Sequence, residues 1–184
     1  GLPPMLTATP GMDAPTHAIE AYIGRSTNRL TRAMSEEAAT RIVRSLYKAY
    51  TDGGDMQARA DMLRAAYCAG VSFTRSYVGY VHGVAHSLGG QYGVPHGLAN
   101  AVILPYFLDA YGAACRKKLG RLARIAGAAP QSASDKDAAE AFIRWIRETN
   151  AKMGIPETIP QIRTADIPEM ARHAAKESNP LYPV

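Results

Sequence analysis

The sequence SEEAATRIVRSLY, residues 35–47, decides the fold class of this chain. Its apolar residues recur at intervals of three and four, which is the spacing of one face of an α-helix. Ser35 followed by two glutamates is typical of a helix N-terminus, where a hydroxyl and negative charge are favourable. The pattern therefore predicts an amphipathic helix that begins near Ser35 and carries the apolar stripe Ala39, Ile42, Val43, Leu46 and Tyr47.

The same spacing recurs on both sides of this segment. Helical patterns occupy residues 56–78 and 96–111, and further stripes surround Leu119, Trp145 and Met170. No run of residues alternates between apolar and polar as a half-buried strand would. The proline-rich ends, residues 2–4 and 179–183, are interpreted as connections. The sequence predicts one all-α domain over residues 1–184, a bundle of roughly seven to nine helices.

Length and composition exclude several classes of protein. The 184 residues, of which 47% are hydrophobic and 20% charged, suit one compact domain and exclude a disordered or fibrous chain. The longest uncharged stretch, residues 76–108, contains three histidines and many glycines, so no membrane span is predicted. Residues 1–20 lack lysine and arginine, so no secretory signal is expected. Cys68 and Cys115 are expected to be buried thiols of a cytoplasmic protein.

The net charge of +5 raises the question of a nucleic-acid partner. The basic residues form two groups along the chain. The second group, within residues 116–124, lacks the interleaved aromatic residues that stack on bases. Solvated helix faces are the simpler interpretation, and no nucleic-acid partner is predicted. The two groups are Arg25, Arg29, Arg32, Arg41, Arg44 and Lys48, and then Arg116, Lys117, Lys118, Arg121 and Arg124.

Four of the five histidines lie in two short segments, TPGMDAPTHAIE (9–20) and VHGVAHSLGGQYGVPHG (81–97). Asp13 and His17 are four residues apart, as are His82 and His86, so each pair shares one face of a helix. Imidazole and carboxylate are the usual ligands of Zn²⁺, Fe²⁺ and Mn²⁺. The segments predict a divalent metal site, but spacing leaves open which of His82, His86 and His96 bind the ion.

A simpler interpretation is that these histidines only pack. A single histidine on a helix is more often a core or surface residue than a ligand, and the surrounding glycines could merely permit close helix packing. Two such pairs in one all-α chain favour a site. His173 belongs to neither segment and is interpreted as a surface residue.

The two histidine segments, extended to residues 11–22 and 81–101, closely resemble the two signatures of the iron-containing (group III) alcohol dehydrogenases. The resemblance extends over essentially the whole chain and includes Asn179-Pro180. It covers only the C-terminal half of a family member, which implies the helical domain of the dehydroquinate synthase-like fold.

The resemblance also implies roles for individual residues. It places His86 beside the nicotinamide ring, as a catalytic and cofactor-contacting residue that is not a ligand. Phe73 matches a position that lines the substrate pocket, with plain core packing as the alternative. The implied ion is Fe²⁺, with Zn²⁺ as the other candidate. Its implied ligands are Asp13, His17, His82 and His96.

Pro15 departs from the family pattern, which more often has leucine there. A proline two residues after Asp13 is harmless in the first turn of a helix. It would kink a helix that began before Pro10. The geometry at Asp13 therefore depends on where this helix begins.

The chain lacks a recognisable site for a dinucleotide. Such a cofactor needs a glycine-rich turn between a strand and a helix, and residues 89–93 follow a helical histidine pair instead. The resemblance accounts for this, because the family's α/β domain for cofactor binding lies N-terminal to these residues. The chain is therefore expected to be a fragment or a separately produced domain, inactive alone, whose exposed apolar surface favours a homo-oligomer.

The resemblance implies the catalytic, metal-binding half of an NAD- or NADP-dependent alcohol dehydrogenase that interconverts small alcohols with aldehydes or ketones. Two alternatives remain open. One is a non-catalytic helical module that binds a metal for stability or assembly, in a site closed by protein ligands. The other is a helical metallohydrolase, which ranks last because only Asp13 and Glu20 supply carboxylates near the histidines.

Overall fold

The structure is a computed structural model that describes residues 2–177. Within that range the chain forms helices and no strands, which confirms the all-α prediction and the expected number of helices. Helix α1 packs against α2, α3 and α5, α6 packs against α7, and α4 lies between α5 and α8. The helices are α1 Pro4–Ile23, α2 Arg29–Thr51, α3 Met56–Ser76, α4 Tyr80–Tyr92, α5 His96–Tyr111, α6 Ala113–Ala126, α7 Asp135–Lys152 and α8 Ile167–Glu177, with a 3₁₀ turn at Thr164–Asp166.

The start of α2 differs from the prediction. The side chain of Asn28 accepts hydrogen bonds from the backbone N–H groups of Leu30 and Thr31, and the Thr31 hydroxyl accepts one from the Asn28 N–H. This reciprocal capping box starts the helix at Arg29. The prediction of Ser35 as N-cap is wrong: Ser35 is buried inside α2, where its Oγ lies 2.7 Å from Oγ of Ser72 on α3.

The N-terminal prolines also differ from the prediction. Pro4 is the first residue of α1 rather than part of a connection, because proline suits the first helical turn, where no N–H partner is required. Pro10 and Pro15 lie inside the same helix, which continues to Ile23. The proline-rich segment 179–183 and its Asn179-Pro180 lie outside the described residues.

The hydrophobic core contains side chains from each of the helices α1 to α8. Cys68 and Cys115 belong to it as buried free thiols, as predicted. Within the described residues no single helix is long and apolar enough to cross a membrane. Helices α5 and α6 taken together have the length and composition of a span, but the chain bends by 120° between them. His173 is exposed on α8, as predicted. Large side chains that are fully buried include Ile19, Leu46, Leu104, Leu119, Phe142 and Ile146.

Several basic residues are used inside the fold. Lys118 on α6 donates hydrogen bonds to the carbonyl groups of Ile23, the last residue of α1, and of Gly24, which caps that helix. Arg124 donates to the Asp135 carboxylate at the start of α7, with 2.6 Å between the atoms. The basic face of α6 thus satisfies helix ends in its own bundle, and the absence of a nucleic-acid partner stays a prediction.

A buried carboxylate joins α2 to α3. Asp61 accepts hydrogen bonds from Arg41, Arg44 and Ser45, at 2.7 Å, 2.7 Å and 2.8 Å. Burial works to raise the pKa of Asp61, but the hydrogen bonds from Ser45 and Arg44 outweigh it and hold the pKa below its ordinary value. A carboxylate held this way stabilises the fold above the ordinary pKa, and that stabilisation is lost as the pH falls through the lowered value.

Replacing the Asp61 carboxylate tests this contact. We expect Asp61→Asn to lower the free energy of unfolding at pH 7 by about 1.5–3 kcal/mol, since charged hydrogen bonds to a buried group are lost. The wild type should lose stability as the pH drops below about 4, and the variant should lose less over that range. Urea unfolding at several pH values measures both, with the exposed Glu140→Gln on α7 as the control. Parallel pH curves for wild type and Asp61→Asn would contradict this role.

Two helical glycines differ in the space around them. A Cβ added at Gly120 on α6 would lie 2.4 Å from the carbonyl oxygen of Asp135 on α7, whereas nothing described lies within 4 Å of one added at Gly70 on α3. We expect Gly120→Ala to destabilise the chain by about 1–3 kcal/mol through overpacking. Gly70→Ala should stabilise it by up to about 1 kcal/mol, because alanine favours the helix. Thermal unfolding of both variants measures this, and equal effects would exclude a tight contact between α6 and α7.

Candidate metal centre

Three helices bring Asp13, His82 and His96 to one point. Asp13 lies on α1, His82 on α4, and His96 is the first residue of α5. One potential ligand atom from each lies within 4.8 Å of the others. Oδ1 of Asp13 is 3.6 Å from Nε2 of His82 and 3.4 Å from Nε2 of His96. One carboxylate oxygen therefore faces two imidazole nitrogens, as in a coordination sphere of mixed oxygen and nitrogen ligands.

A close contact between α1 and α5 sets the position of His96. A Cβ added at the next residue, Gly97, would lie 2.4 Å from the carbonyl oxygen of Thr9, so only glycine permits this approach. One turn further along α5, the amide nitrogen of Asn100 lies 2.6 Å from Oδ1 of Asp13 and 3.0 Å from Nε2 of His96. The helix contact and the amide together hold the carboxylate next to the imidazole.

Glu20 fixes the orientation of His82. Its side chain is buried on α1 and accepts a hydrogen bond from Nδ1 of His82, with 2.6 Å between the atoms. A neutral imidazole that donates from Nδ1 carries its lone pair on Nε2. That nitrogen is buried, has no hydrogen-bond partner among the described residues, and belongs to the cluster. A histidine ligand backed by a carboxylate is a common arrangement at metal sites.

The carboxylates and the buried imidazoles shift one another's pKa. Burial disfavours the charged form of His82, but Asp13 and Glu20 outweigh it and raise its pKa to about 9. Burial and the neighbouring charge of His82 lower the pKa of His17 to about 4. Burial works to raise the pKa of Asp13, but the neighbouring His82 and the charge of His17 hold the pKa below its ordinary value. The cluster thus stabilises positive charge at His82, beside Asp13 and Glu20.

His17 lies against the cluster rather than within it. Its ring centroid is 4.2 Å from that of His82, and its Nδ1 donates to the backbone carbonyl of Asp13. This bond leaves the lone pair on Nε2. Phe73 also stacks on His17, with 4.2 Å between ring centroids, and is only half-buried. Phe73 therefore borders the histidine cluster instead of packing wholly in the core.

His86 lies at the open edge of the cluster. It follows His82 by one turn of α4, stacks on His96 with 5.1 Å between centroids, and pairs through Nδ1 with Glu177 at the end of α8. An open cleft of about 540 Å³ between α4 and α8 reaches His86 and is lined also by Gln91 and Glu169. Residues 89–92 belong to α4, so they do not form a phosphate-binding turn between a strand and a helix.

The helix that carries Asp13 does begin before Pro10, the case in which Pro15 was expected to introduce a kink. The pair nevertheless stays four residues apart on one helix, with 3.6 Å between Nδ1 of His17 and Oδ2 of Asp13. Both prolines are accommodated without separating the two side chains.

The residues present fit a divalent cation. Two imidazole nitrogens and a carboxylate oxygen converge, and one of them, Nε2 of His82, is buried and has no hydrogen-bond partner in residues 2–177. An unpaired buried polar atom is costly, and a cation at this point would satisfy it. The donor set suits Fe²⁺ or Zn²⁺ better than the harder Mg²⁺, which prefers oxygen ligands alone.

Sequence reasoning gave no role to three residues around this centre: Glu20, Asn100 and Glu177. Glu20 was visible only as a neighbouring carboxylate, although it follows Asp13 by seven residues and therefore shares its helix face. Asn100 follows His96 by one turn and could have been found in the same way. Glu177 is brought to His86 by the packing of α8 on α4, and no local pattern reports such a contact.

Comparison with known proteins agrees with this geometry. Residues 7–182 match the family model described as Fe-containing alcohol dehydrogenase family, C-terminal. The chain is 41% identical over 181 residues to 1,3-propanediol dehydrogenase of Citrobacter freundii, covering 97% of this chain and 47% of that protein. It is 42% identical over 180 residues to alcohol dehydrogenase 4 of Saccharomyces cerevisiae, covering 97% and 46%.

Among solved structures, a 1,3-propanediol oxidoreductase superposes with a TM-score of 0.95 at 39% identity, over 100% of this chain and 49% of that one. The chain spans about half the length of these relatives. A family match over most of the chain, with the same helical fold, leaves one assignment: this chain belongs to the iron-containing alcohol dehydrogenases and corresponds to their C-terminal part.

Proposed function

We propose that this chain is the catalytic, metal-binding half of an NAD- or NADP-dependent alcohol dehydrogenase that interconverts small alcohols with aldehydes or ketones. The observation that carries the proposal is the convergence of ligand atoms from Asp13, His82 and His96 within 4.8 Å. Membership of the family supports it, because the named relatives are alcohol or diol dehydrogenases.

The proposed ligands are Asp13, His17, His82 and His96. His17 is proposed as the fourth ligand because its ring centroid lies 4.2 Å from that of His82 and its Nδ1 bond to the Asp13 carbonyl leaves a lone pair on Nε2. Fe²⁺ is the proposed ion, with Zn²⁺ as the other candidate. When bound, such an ion supplies Lewis-acid stabilisation of negative charge on an alcohol or carbonyl oxygen.

The neighbouring residues have separate proposed tasks. His86 stands between the cluster and the open cleft, where an imidazole can orient a nicotinamide ring or pass on a proton. Phe73 offers an apolar ring next to His17, suited to the carbon chain of a small alcohol. These tasks require the hydride acceptor to be held by another domain, since residues 2–177 contain no strand on which a dinucleotide site could be built.

The partner domain proposed here is an α/β domain that binds NAD or NADP and precedes these residues in the complete enzyme. The relatives, about twice the length of this chain, support that arrangement. Exposed apolar side chains such as Met5, Met56, Leu63 and Tyr67 favour association, so a homo-oligomer is proposed as well. The cytoplasm is the proposed location because both cysteines are free.

Metal analysis tests the proposed centre. The chain, purified without oxygen, should retain a divalent metal measurable by elemental analysis. His82→Ala should lower the affinity by tenfold or more, because the buried ligand is lost. The matched control is His173→Ala, which removes an exposed histidine outside the cluster and should leave the metal content unchanged. Equal occupancy in wild type and His82→Ala would overturn the ligand assignment.

An activity assay tests whether this chain needs another domain to hold the hydride acceptor. The metal-loaded chain should show no reduction of NAD⁺ or NADP⁺ in the presence of 1,3-propanediol or ethanol, because the hydride acceptor is not held near His86. Absorbance of the reduced nicotinamide measures the rate, with a full-length member of the family as the positive control. Turnover by the isolated chain at rates typical of enzymes, about 1 s⁻¹ or more, would refute the proposed need for another domain.

A further inference from the structure

Glu20 is the most completely buried carboxylate near the metal centre. It is 1% exposed and accepts three hydrogen bonds: from the N–H of Gly79 at 3.0 Å, from the N–H of Val81 at 2.9 Å, and from Nδ1 of His82 at 2.6 Å. All three donors lie at the start of α4, while Glu20 belongs to α1. A single side chain therefore connects the two helices at the point where His82 enters the cluster.

Helix α4 has no cap of its own. Its N-cap residue is Gly79, whose backbone is extended and which has no side chain to accept the first N–H groups. Unsatisfied N–H groups at a buried helix start are costly, and the partial positive charge there favours an anion. The Glu20 carboxylate supplies both the acceptor and the charge from the neighbouring helix.

The third hydrogen bond fixes which nitrogen of His82 is available. Because Nδ1 donates to Glu20, the lone pair of the neutral ring lies on Nε2, which faces Asp13. Both side chains are out of water, with His82 only 2% exposed, so no solvent molecule offers a substitute partner to either. The spacing along α1 places Asp13, His17 and Glu20 on one helix face, so a single helix supplies all three side chains.

We propose that Glu20 is the positioning residue of the metal centre, holding His82 in the tautomer and orientation that direct Nε2 to the ion while it caps α4. This inference rests on the proposed function, because it concerns the same metal site. Glu20 contacts no ligand of the ion except His82 among its described hydrogen bonds, so it acts through His82 rather than on the substrate.

The test compares Zn²⁺ affinity in Glu20→Gln with that of the wild type, by competition with a chelator. Glutamine has the same size but one acceptor oxygen, so its amide N–H₂ must face one of the three donors. We expect affinity to fall by tenfold or more, in line with other carboxylates that support metal-bound histidines. The matched control is Glu36→Gln, which removes a carboxylate that accepts from Tyr22 on the α1–α2 contact, and it should bind Zn²⁺ within twofold of the wild type.

A second measurement begins with the wild type and extends to the variant. In the Zn²⁺-loaded wild type, nitrogen-15 spectra of the histidines should show His82 bound through Nε2, with an Nδ1 proton that exchanges slowly with water. In Glu20→Gln that proton should exchange faster. Slow exchange in wild type together with weakened binding in the variant supports the inference.

Two other outcomes are distinguishable. If Glu20→Gln folds and binds Zn²⁺ within threefold of the wild type, or if wild-type His82 binds through Nδ1, Glu20 is not the positioning residue and the metal centre itself stands. If the wild type binds no divalent ion, the proposed function fails and this inference fails with it. Should Glu20→Gln not fold, the wild-type spectrum alone decides.

Discussion

Glu20 and His82 face each other in the interior of the bundle, 2.6 Å apart, and the position of Asp13 beside His82 depends on that pair. Neither side chain would be tolerated there alone, since a buried charged or polar group without a partner costs several kcal/mol. The hydrogen bond joins α1 to the start of α4. Asp13 lies two turns before Glu20 on α1, and its Oδ1 is 3.6 Å from Nε2 of His82.

The cluster changes from closed to open across its width. His82 is 2% exposed, Asp13 is 22% exposed, and His96 and His86 are about 40% exposed, at 41% and 42%. On the buried side, formed by α1 and α4, the side chains are fixed in position. The open side leads to the cleft between α4 and α8, where a substrate or a cofactor from another domain could approach. A structural metal site is closed on all sides by protein ligands, whereas this cluster has one open side.

Much of this was predictable from local patterns. The apolar periodicity was sufficient for the helix class, and Pro95 marked the start of α5 at His96. The start of α2 was missed because Ser35 and the two glutamates after it have side chains that suit a helix N-terminus. In the structure, Asn28 and Thr31 form a reciprocal capping box, and the helix begins there instead. Spacing placed Asp13 and His17 on one face, but which histidines meet depends on how α4 and α5 cross α1. That crossing is tertiary information, as is the arrival of Glu177 at His86.

The close contact at Gly97 fixes the distance between α1 and α5 beside the cluster. The width between Asp13 and His96 follows from two backbones in contact, at Gly97 and at the Thr9 carbonyl, and main-chain atoms cannot adjust as a flexible side chain would. If the proposed centre holds an ion, the packing of α1 on α5 sets the space available to it. Loosening of that packing would then release the ion while the helices themselves remain intact, and ion retention would report native packing more sensitively than helical content.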